Sequence, residues 1–255
     1  MMTSQAFDLS GKRALITGGS RGIGLAIATS LAEAGAAVVL NARDPVALAN
    51  TQSDLRAAGH QATIAPFDVT DAGAVEQAVA VLEAAGAIDI LINNAGIQHR
   101  GPAETFAEAD FDRLMAINAK GTFLVAQAVG RRMIGRRRGK IINIASVQSE
   151  LGRASITPYA MSKGAVRQLT RGLCAEWGQY GIQVNAIAPG YFRTELTAAL
   201  VDDAAFSAWL TSRTPARRWG EVAELGGTAV FLASAASDFV NGQTIFVDGG
   251  LTSVV

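Results

Sequence analysis

Thr17-Gly18-Gly19-Ser20-Arg21-Gly22-Ile23-Gly24 stands between a short apolar run at 14–17 and a helical segment at 22–34. Glycines 18, 22 and 24 permit a tight turn, a close backbone approach to a pyrophosphate, and close helix–strand packing. A phosphate would lie against the helix N-terminus, where free N–H groups and the positive dipole end point outward. Ser20, Arg21 and Ile23 share that loop. A glycine string alone is weak evidence, and the strand–loop–helix setting near the N-terminus gives it meaning.

Outward from this loop, short apolar runs rich in β-formers recur at 37–41, 62–66, 88–92, 140–145, 183–187 and 244–247. The intervals hold helical segments at 45–58, 72–85, 110–134, 158–180 and 221–233. Alternation of this kind predicts an α/β fold: a doubly wound parallel sheet with helices on both faces. No Gly/Ser/Pro-rich linker and no solenoid-length repeat divides residues 1–255, so we expect one domain. The 191–220 interval, with Tyr191, Trp209 and Trp219, reads either as a cover over the substrate pocket or as a packed helical insertion.

Composition narrows the function classes. The chain has 255 residues, 49% of them hydrophobic, and a formal net charge of zero, so nothing global points to nucleic acid or an anionic membrane. A single cysteine, Cys174, cannot form an internal disulfide and suits a reducing compartment. The opening MMTSQAFDLSGK lacks a basic start and an apolar run of leader length, and no stretch nears the ~20 apolar residues of a membrane helix. The expectation is a soluble, cytoplasmic protein. His60 and His99 lack ligand spacing, so no metal site is assigned. The basic run from Arg131 to Lys140 reads as cations around a helix C-terminus rather than a polyanion surface.

The second strand bears on cofactor choice. NAD sites place an acid roughly 20 residues past the glycines to hold the ribose hydroxyls. Here Asn41-Ala42-Arg43 puts alanine at that position and arginine after it. Guanidinium pairs with a 2′-phosphate, so NADP is favoured, with Arg21 as a second cation.

Tyr159 and Lys163 lie four residues apart on one helix face, and Ser146 ends the fifth strand at the ligand edge of a parallel sheet. Reducing a ketone requires a proton for the developing alkoxide. Free tyrosine, near pKa 10, is a poor base at neutral pH, and the Lys163 ammonium is expected to lower it. Ser146 would steady the substrate oxygen. Asn118, on the fourth crossover helix, could tie a water to Lys163 and relay protons. Tyr-x-x-x-Lys alone is commonplace; with the glycine loop and a strand-end serine it becomes a catalytic set.

Together these residues resemble the short-chain dehydrogenase/reductase family over essentially the whole chain. The marks are Thr17–Gly24, Asp68-Val69, Asn93-Asn94-Ala95-Gly96, Asn118, Ser146, Tyr159, Lys163, Pro189-Gly190 and Thr194. The resemblance implies a seven-stranded Rossmann sheet and a homotetramer packed through the helices carrying Asn118 and Tyr159. It also implies that Asp68 and Val69 flank adenine, that Asn94, Ala95 and Gly96 form the cleft floor, and that Lys163 holds the nicotinamide ribose. The stretch from Pro189 through Gly190 and Phe192 to Thr194 would line the nicotinamide.

Residues 93–100, 146–150, 189–192 and 213–215 are similar to those of a narrower group, enzymes that interconvert D-gluconate and 5-keto-D-gluconate. A sugar acid presents a carboxylate, which Arg100 could clamp, and hydroxyls within reach of Gln148, Glu150 and Tyr191. Two rivals stay open. One is a 3-oxoacyl-carrier-protein reductase, its arginine run docking an acidic partner; the other is a non-catalytic cofactor-binding regulator.

Overall fold

Seven strands form one parallel sheet in the order β3-β2-β1-β4-β5-β6-β9. They are β1 (Arg13–Thr17), β2 (Ala37–Asn41), β3 (Ala62–Ile64), β4 (Ile90–Asn93), β5 (Gly139–Ile144), β6 (Ile182–Pro189) and β9 (Thr244–Val247), with β7 and β8 forming a separate pair described below. This is a computed structural model, and it describes residues 5–254. The first four residues of the stretch inspected for a leader lie outside that range. Among the described residues no helix is long and apolar enough to cross a membrane.

The strands are apolar at nearly every position because both faces are covered. Ile16, Leu40, Ile92 and Ile142 pack on one face with Ile27, Leu31 and Leu232. Their neighbours Leu15, Val39, Leu91 and Ile141 pack on the other, with Val79, Val125, Val129 and Leu173. Successive strand residues point to opposite faces, so an unbroken apolar run builds two cores.

On the first face lie α1 (Gly22–Glu33) and α9 (Gly226–Ala233); on the second lie α3 (Ala72–Ala85), α5 (Thr122–Arg136) and α6 (Thr157–Trp177). Asp44 caps α2 (Pro45–Ala57) and Asp71 caps α3, each accepting two first-turn N–H bonds. Strand order reverses at β1, which pairs with β2 on one side and β4 on the other. The crevice at that reversal, beyond the C-terminal strand ends, is where doubly wound folds take ligands.

All seven expected strands form, and several elements differ in extent. Asn41 donates its side-chain amide to the carbonyls of Ala65 and Phe67, both at 3.0 Å, and the third strand ends at Ile64. The fourth crossover is not one regular helix. α4 (Glu108–Met115) runs through a π-helical turn, Ala116–Gly121, into α5. The helix expected to reach 180 ends at Trp177, and the one expected from 221 begins at Gly226 after a 3₁₀ turn.

The 191–220 interval holds β7 (Phe192–Arg193), α7 (Ala198–Val201) and α8 (Ala204–Arg213), and β7 pairs in parallel with β8 (Gly220–Glu221). Leu200, Leu210 and Trp219 form a small core of its own, against which Tyr191 and Phe206 pack. The packed-insertion reading therefore describes its interior.

Candidate active site

The glycine loop is held shut by its neighbours. Gly18 and Gly22 have φ of +64° and +56°, values that side chains with a Cβ rarely adopt. A Cβ on Gly24 would lie 2.2 Å from the Gly18 carbonyl and 2.5 Å from Asn94 Nδ2. Asn94 donates that amide to the carbonyls of Thr17 and Gly18, both at 3.0 Å. Thr17 Oγ1 in turn accepts the backbone N–H groups of Asn94 and Ala95. The ends of β1 and β4 are thus sewn together beneath the loop. Arg21 is the N-cap of α1 and offers no side-chain acceptor. The helix therefore opens on N–H groups with no side-chain cap, as an anion site requires.

At the far end of this groove Arg43 is exposed, beside Asp68. The Thr70 backbone N–H at 2.8 Å, with a smaller effect from Arg43, holds the Asp68 carboxyl below its usual range. Val69 is buried against the π-helical turn; a Cβ on Gly121 would lie 2.8 Å from its Cγ2.

Three of the cofactor residues read from sequence are turned elsewhere. The Asn41 amide is spent inside the sheet, so only its backbone fronts the glycine loop, accepting Gly19 N–H at 2.9 Å. Arg21 pairs at 2.9 Å with Glu195, in the 3₁₀ turn Glu195–Thr197, rather than standing free for a phosphate. Phe192 is buried against Gly220, in which a Cβ would meet its ring at 2.6 Å, so it can line the cleft only through its backbone. Thr194 caps the Glu195–Thr197 turn, and Gly190 continues from the end of β6, donating to Val247.

Ser146, Tyr159 and Lys163 meet where β5 ends. Ser146 is buried and accepts the Gln148 N–H at 3.2 Å, which fixes the turn after the strand. Its hydroxyl lies close enough to the Tyr159 phenol to lower the phenol's pKa. Lys163 is buried, donates to the Ile144 carbonyl at 2.7 Å and lies 5.9 Å from the Tyr159 ring centre. Burial pushes the Lys163 ammonium down to about 8.

The phenol departs from expectation. Burial raises it above its ordinary value, and the Ser146 hydroxyl offsets only part of that. The Lys163 ammonium, which donates to the Ile144 carbonyl, is not among the groups that shift it.

Asn118 occupies the π-helical turn, a feature common at functional sites. Its Oδ1 accepts Ile97 N–H at 2.8 Å, and its amide donates to Ile97 carbonyl and Ser162 Oγ at 2.9 and 3.0 Å. Ser162 also donates to the Tyr159 carbonyl at 2.7 Å. Asn118 therefore clamps the loop after β4 onto the helix of Tyr159. Ser162 had no sequence signal beyond its place between the two catalytic candidates.

Of the substrate candidates, Gln148 and Tyr191 touch, Nε2 to hydroxyl at 3.4 Å. Glu150 does not join them; its carboxylate is taken by Arg167 of α6. Arg100 lies just past β4, where burial and the charge of Arg153 lower its pKa. Arg153 had escaped notice in the sequence. It donates to the Tyr191 hydroxyl at 3.4 Å and stacks 4.6 Å over the Phe206 ring.

The basic run is spent within the chain. Arg131 and Arg132 pair with Glu76, Arg136 with Glu83, Arg138 with Asp89 and Lys140 with Asp238. His99 pairs with Asp110 at 3.5 Å.

Comparison with known proteins agrees with this geometry. Residues 18–252 match the family model described as enoyl-(acyl carrier protein) reductase. The chain is 58% identical to a gluconate 5-dehydrogenase of Gluconobacter oxydans, over 96% of each chain. It is 53% identical to a 5-keto-D-gluconate 5-reductase of Escherichia coli, over 98% of each. Among solved structures, a gluconate 5-dehydrogenase from Burkholderia cenocepacia in complex with NADP and tartrate superposes with a TM-score of 0.97. It shares 61% identity, with 99% of this chain and 100% of that one covered. With a parallel seven-stranded sheet, a glycine loop at its switch point and full-length similarity, this chain belongs to the short-chain dehydrogenase/reductase family.

Proposed function

We propose that this chain is an NADP(H)-dependent enzyme that interconverts D-gluconate and 5-keto-D-gluconate, using Tyr159 as acid and base. The observation that carries this reading is the meeting of Ser146, Tyr159 and Lys163 beside the glycine loop. When bound, NADP(H) donates or accepts the hydride. Uncapped N–H groups at α1 fit its pyrophosphate, Asp68 and Val69 would flank adenine, and Arg43 would meet the 2′-phosphate. Ala95, Gly96, Lys163 and the backbone from Pro189 to Thr194 would hold the nicotinamide end.

Ser146 and Tyr159 would receive the substrate carbonyl oxygen between their hydroxyls. Tyr159 delivers a proton to that oxygen during reduction and removes it during oxidation. Ser146 donates a hydrogen bond that strengthens as charge develops. Lys163, cationic at neutral pH, stabilises the phenolate left behind. Asn118 keeps the helix of Tyr159 and the loop after β4 in register. The 191–220 interval would cover the substrate within one dehydrogenase domain. We place the enzyme in the cytoplasm as a homotetramer, with the exposed Phe123 and Met161 of α5 and α6 at subunit contacts.

The carrier-protein rival loses its main support, because four of the five arginines that would dock an acidic partner already pair with Glu76, Glu83 and Asp89. Identifying the product of 5-keto-D-gluconate and NADPH by NMR tests the assignment. D-gluconate is expected; no product, or only the C5 epimer, overturns it.

Two further results are expected. Arg43→Ala should raise KM for NADPH about tenfold and leave KM for NADH unchanged, since only the 2′-phosphate is lost as a partner. The pH profile should follow Lys163. Reduction requires the protonated phenol and a cationic lysine. The phenol is held above its ordinary value, so it stays protonated, while Lys163 sheds its proton near pH 8. In the free enzyme, kcat/KM for ketone reduction should therefore fall above about pH 8, whereas alcohol oxidation, which needs the phenol deprotonated, should rise with pH. A reduction profile flat from pH 6 to about 9.5 would contradict this assignment.

A further inference from the structure

We propose that Arg153 is the second half of a two-arginine clamp which, with Arg100, grips the substrate carboxylate, and that Phe206 positions it. The inference rests on the sugar-acid reading above and assigns its anion end.

The two guanidinium groups come from loops more than fifty residues apart in sequence, after β4 and after β5. A backbone bond from Gly101 N–H to Ser155 carbonyl at 3.0 Å ties those loops together. Among the described residues neither arginine has a carboxylate within 4.0 Å, although most arginines in the basic run do. They also feel one another, the charge of Arg153 lowering Arg100. Two neighbouring cations, Arg153 half-buried and Arg100 exposed, repel one another unless an anion joins them, and no carboxylate of the described residues does so. A ligand that brings one carboxylate completes the pair, because planar guanidinium groups donate parallel hydrogen bonds to its oxygens.

Polar groups mark a path from the reactive oxygen to this pair. Ser146 adjoins Gln148 through its 3.2 Å bond, Gln148 contacts the Tyr191 hydroxyl, and Tyr191 contacts Arg153. Gln148 is 8% exposed, yet its Oε1 has no hydrogen-bond partner. A buried acceptor left without a donor is costly, and a substrate hydroxyl between the ketone and the carboxylate would satisfy it. The site therefore fits a chain with a ketone at one end, hydroxyls between, and a carboxylate at the other.

Phe206, on α8, lies beneath Arg153, with ring-to-guanidinium contact at 4.6 Å. The same ring packs on Tyr191 at 5.5 Å. The 191–220 interval thus sets the position of the second arginine as well as walling the site. Phe206 acts through Arg153 and is a positioning residue.

The test uses full-length wild type, Arg153→Gln, Arg153→Lys and Phe206→Ala. Each is assayed with NADPH against 5-keto-D-gluconate, the neutral ketose D-fructose and D-fructose 6-phosphate. Binding of D-gluconate to each protein is measured separately by calorimetry. For the keto acid, Arg153→Gln should raise KM about 30-fold with kcat within about twofold, and Arg153→Lys should recover only part of the loss. Phe206→Ala should raise KM several-fold, about a third to a tenth of the Arg153→Gln effect. Kinetics with fructose should not change, and gluconate affinity should fall in parallel with KM. An Arg153→Gln variant with unchanged keto-acid KM and gluconate affinity overturns the clamp. So does an equal loss on fructose, or better turnover of the phosphate than of the keto acid. If wild type turns over none of the three substrates, the sugar-acid reading has failed instead, and gluconate calorimetry still decides whether Arg153 binds a carboxylate.

Discussion

Replacing Tyr159 by phenylalanine should lower kcat for 5-keto-D-gluconate reduction by about a thousandfold while NADPH affinity stays within about twofold. Only the hydroxyl close to Ser146 is removed; the ring remains beside Lys163, 5.9 Å from its ammonium. Helix α6 should be undisturbed, because Ser162 bonds the Tyr159 backbone carbonyl and Lys163 bonds Ile144. Loss of one such hydrogen bond costs about 1 kcal/mol, too little to unfold the chain. The proton donor disappears. Turnover by pre-steady-state NADPH fluorescence separates chemistry from binding. Unchanged turnover would remove Tyr159 from the mechanism, and lost NADPH binding would make it a cofactor contact alone.

The second large effect belongs to Gly24→Ala. The added methyl carbon would stand 2.2 Å from the Gly18 carbonyl and 2.5 Å from the Asn94 amide, well inside ordinary contact. Neither neighbour can step aside cheaply. The Gly18 carbonyl is backbone and accepts the Asn94 amide, whose nitrogen also binds Thr17. The strain must displace the glycine loop from α1, at a cost of about 1–3 kcal/mol in stability. A displacement near 1 Å takes the loop off the pyrophosphate, so NADPH affinity should fall by about 100-fold or more. Calorimetry for binding and thermal unfolding for stability check both parts. The companion Gly22→Ala finds open space around its added carbon but a φ of +56°, so it should act through backbone strain alone and cost less.

These two positions show what could be seen in the amino-acid string. Gly24 and Tyr159 announce themselves through local pattern, because a turn, a helix start and an i, i+4 pair are all written within a few residues. The seven strands were legible for the same reason. What the string does not show is a partner that is remote in sequence. Asn41 stands where a ribose ligand would, but Ala65 and Phe67 claim its amide across the sheet. Glu150 lies near Ser146, yet Arg167 takes its charge, as Glu195 takes that of Arg21. The π-helical turn around Asn118 carries an amide that bonds Ile97, a contact no helical periodicity encodes. Arg153 becomes visible only when Gly101 and Ser155 bring two loops together. Local chemistry was readable from the string; ion-pair partners required the fold.

The Tyr159 phenol sharpens the mechanism. From spacing alone, Lys163 was expected to make it an acidic tyrosine. In the structure burial raises the phenol above its ordinary value, and the lysine is the group that loses a proton, at about pH 8.

The most direct measurement is kcat/KM for NADPH oxidation by wild type with 5-keto-D-gluconate and, in parallel, with an acetoacetyl thioester. A ratio of at least about 100 in favour of the sugar acid is expected, since only that substrate would bring a carboxylate to Arg100 and hydroxyls to Gln148. Ready turnover of the thioester with none of the keto acid would contradict it.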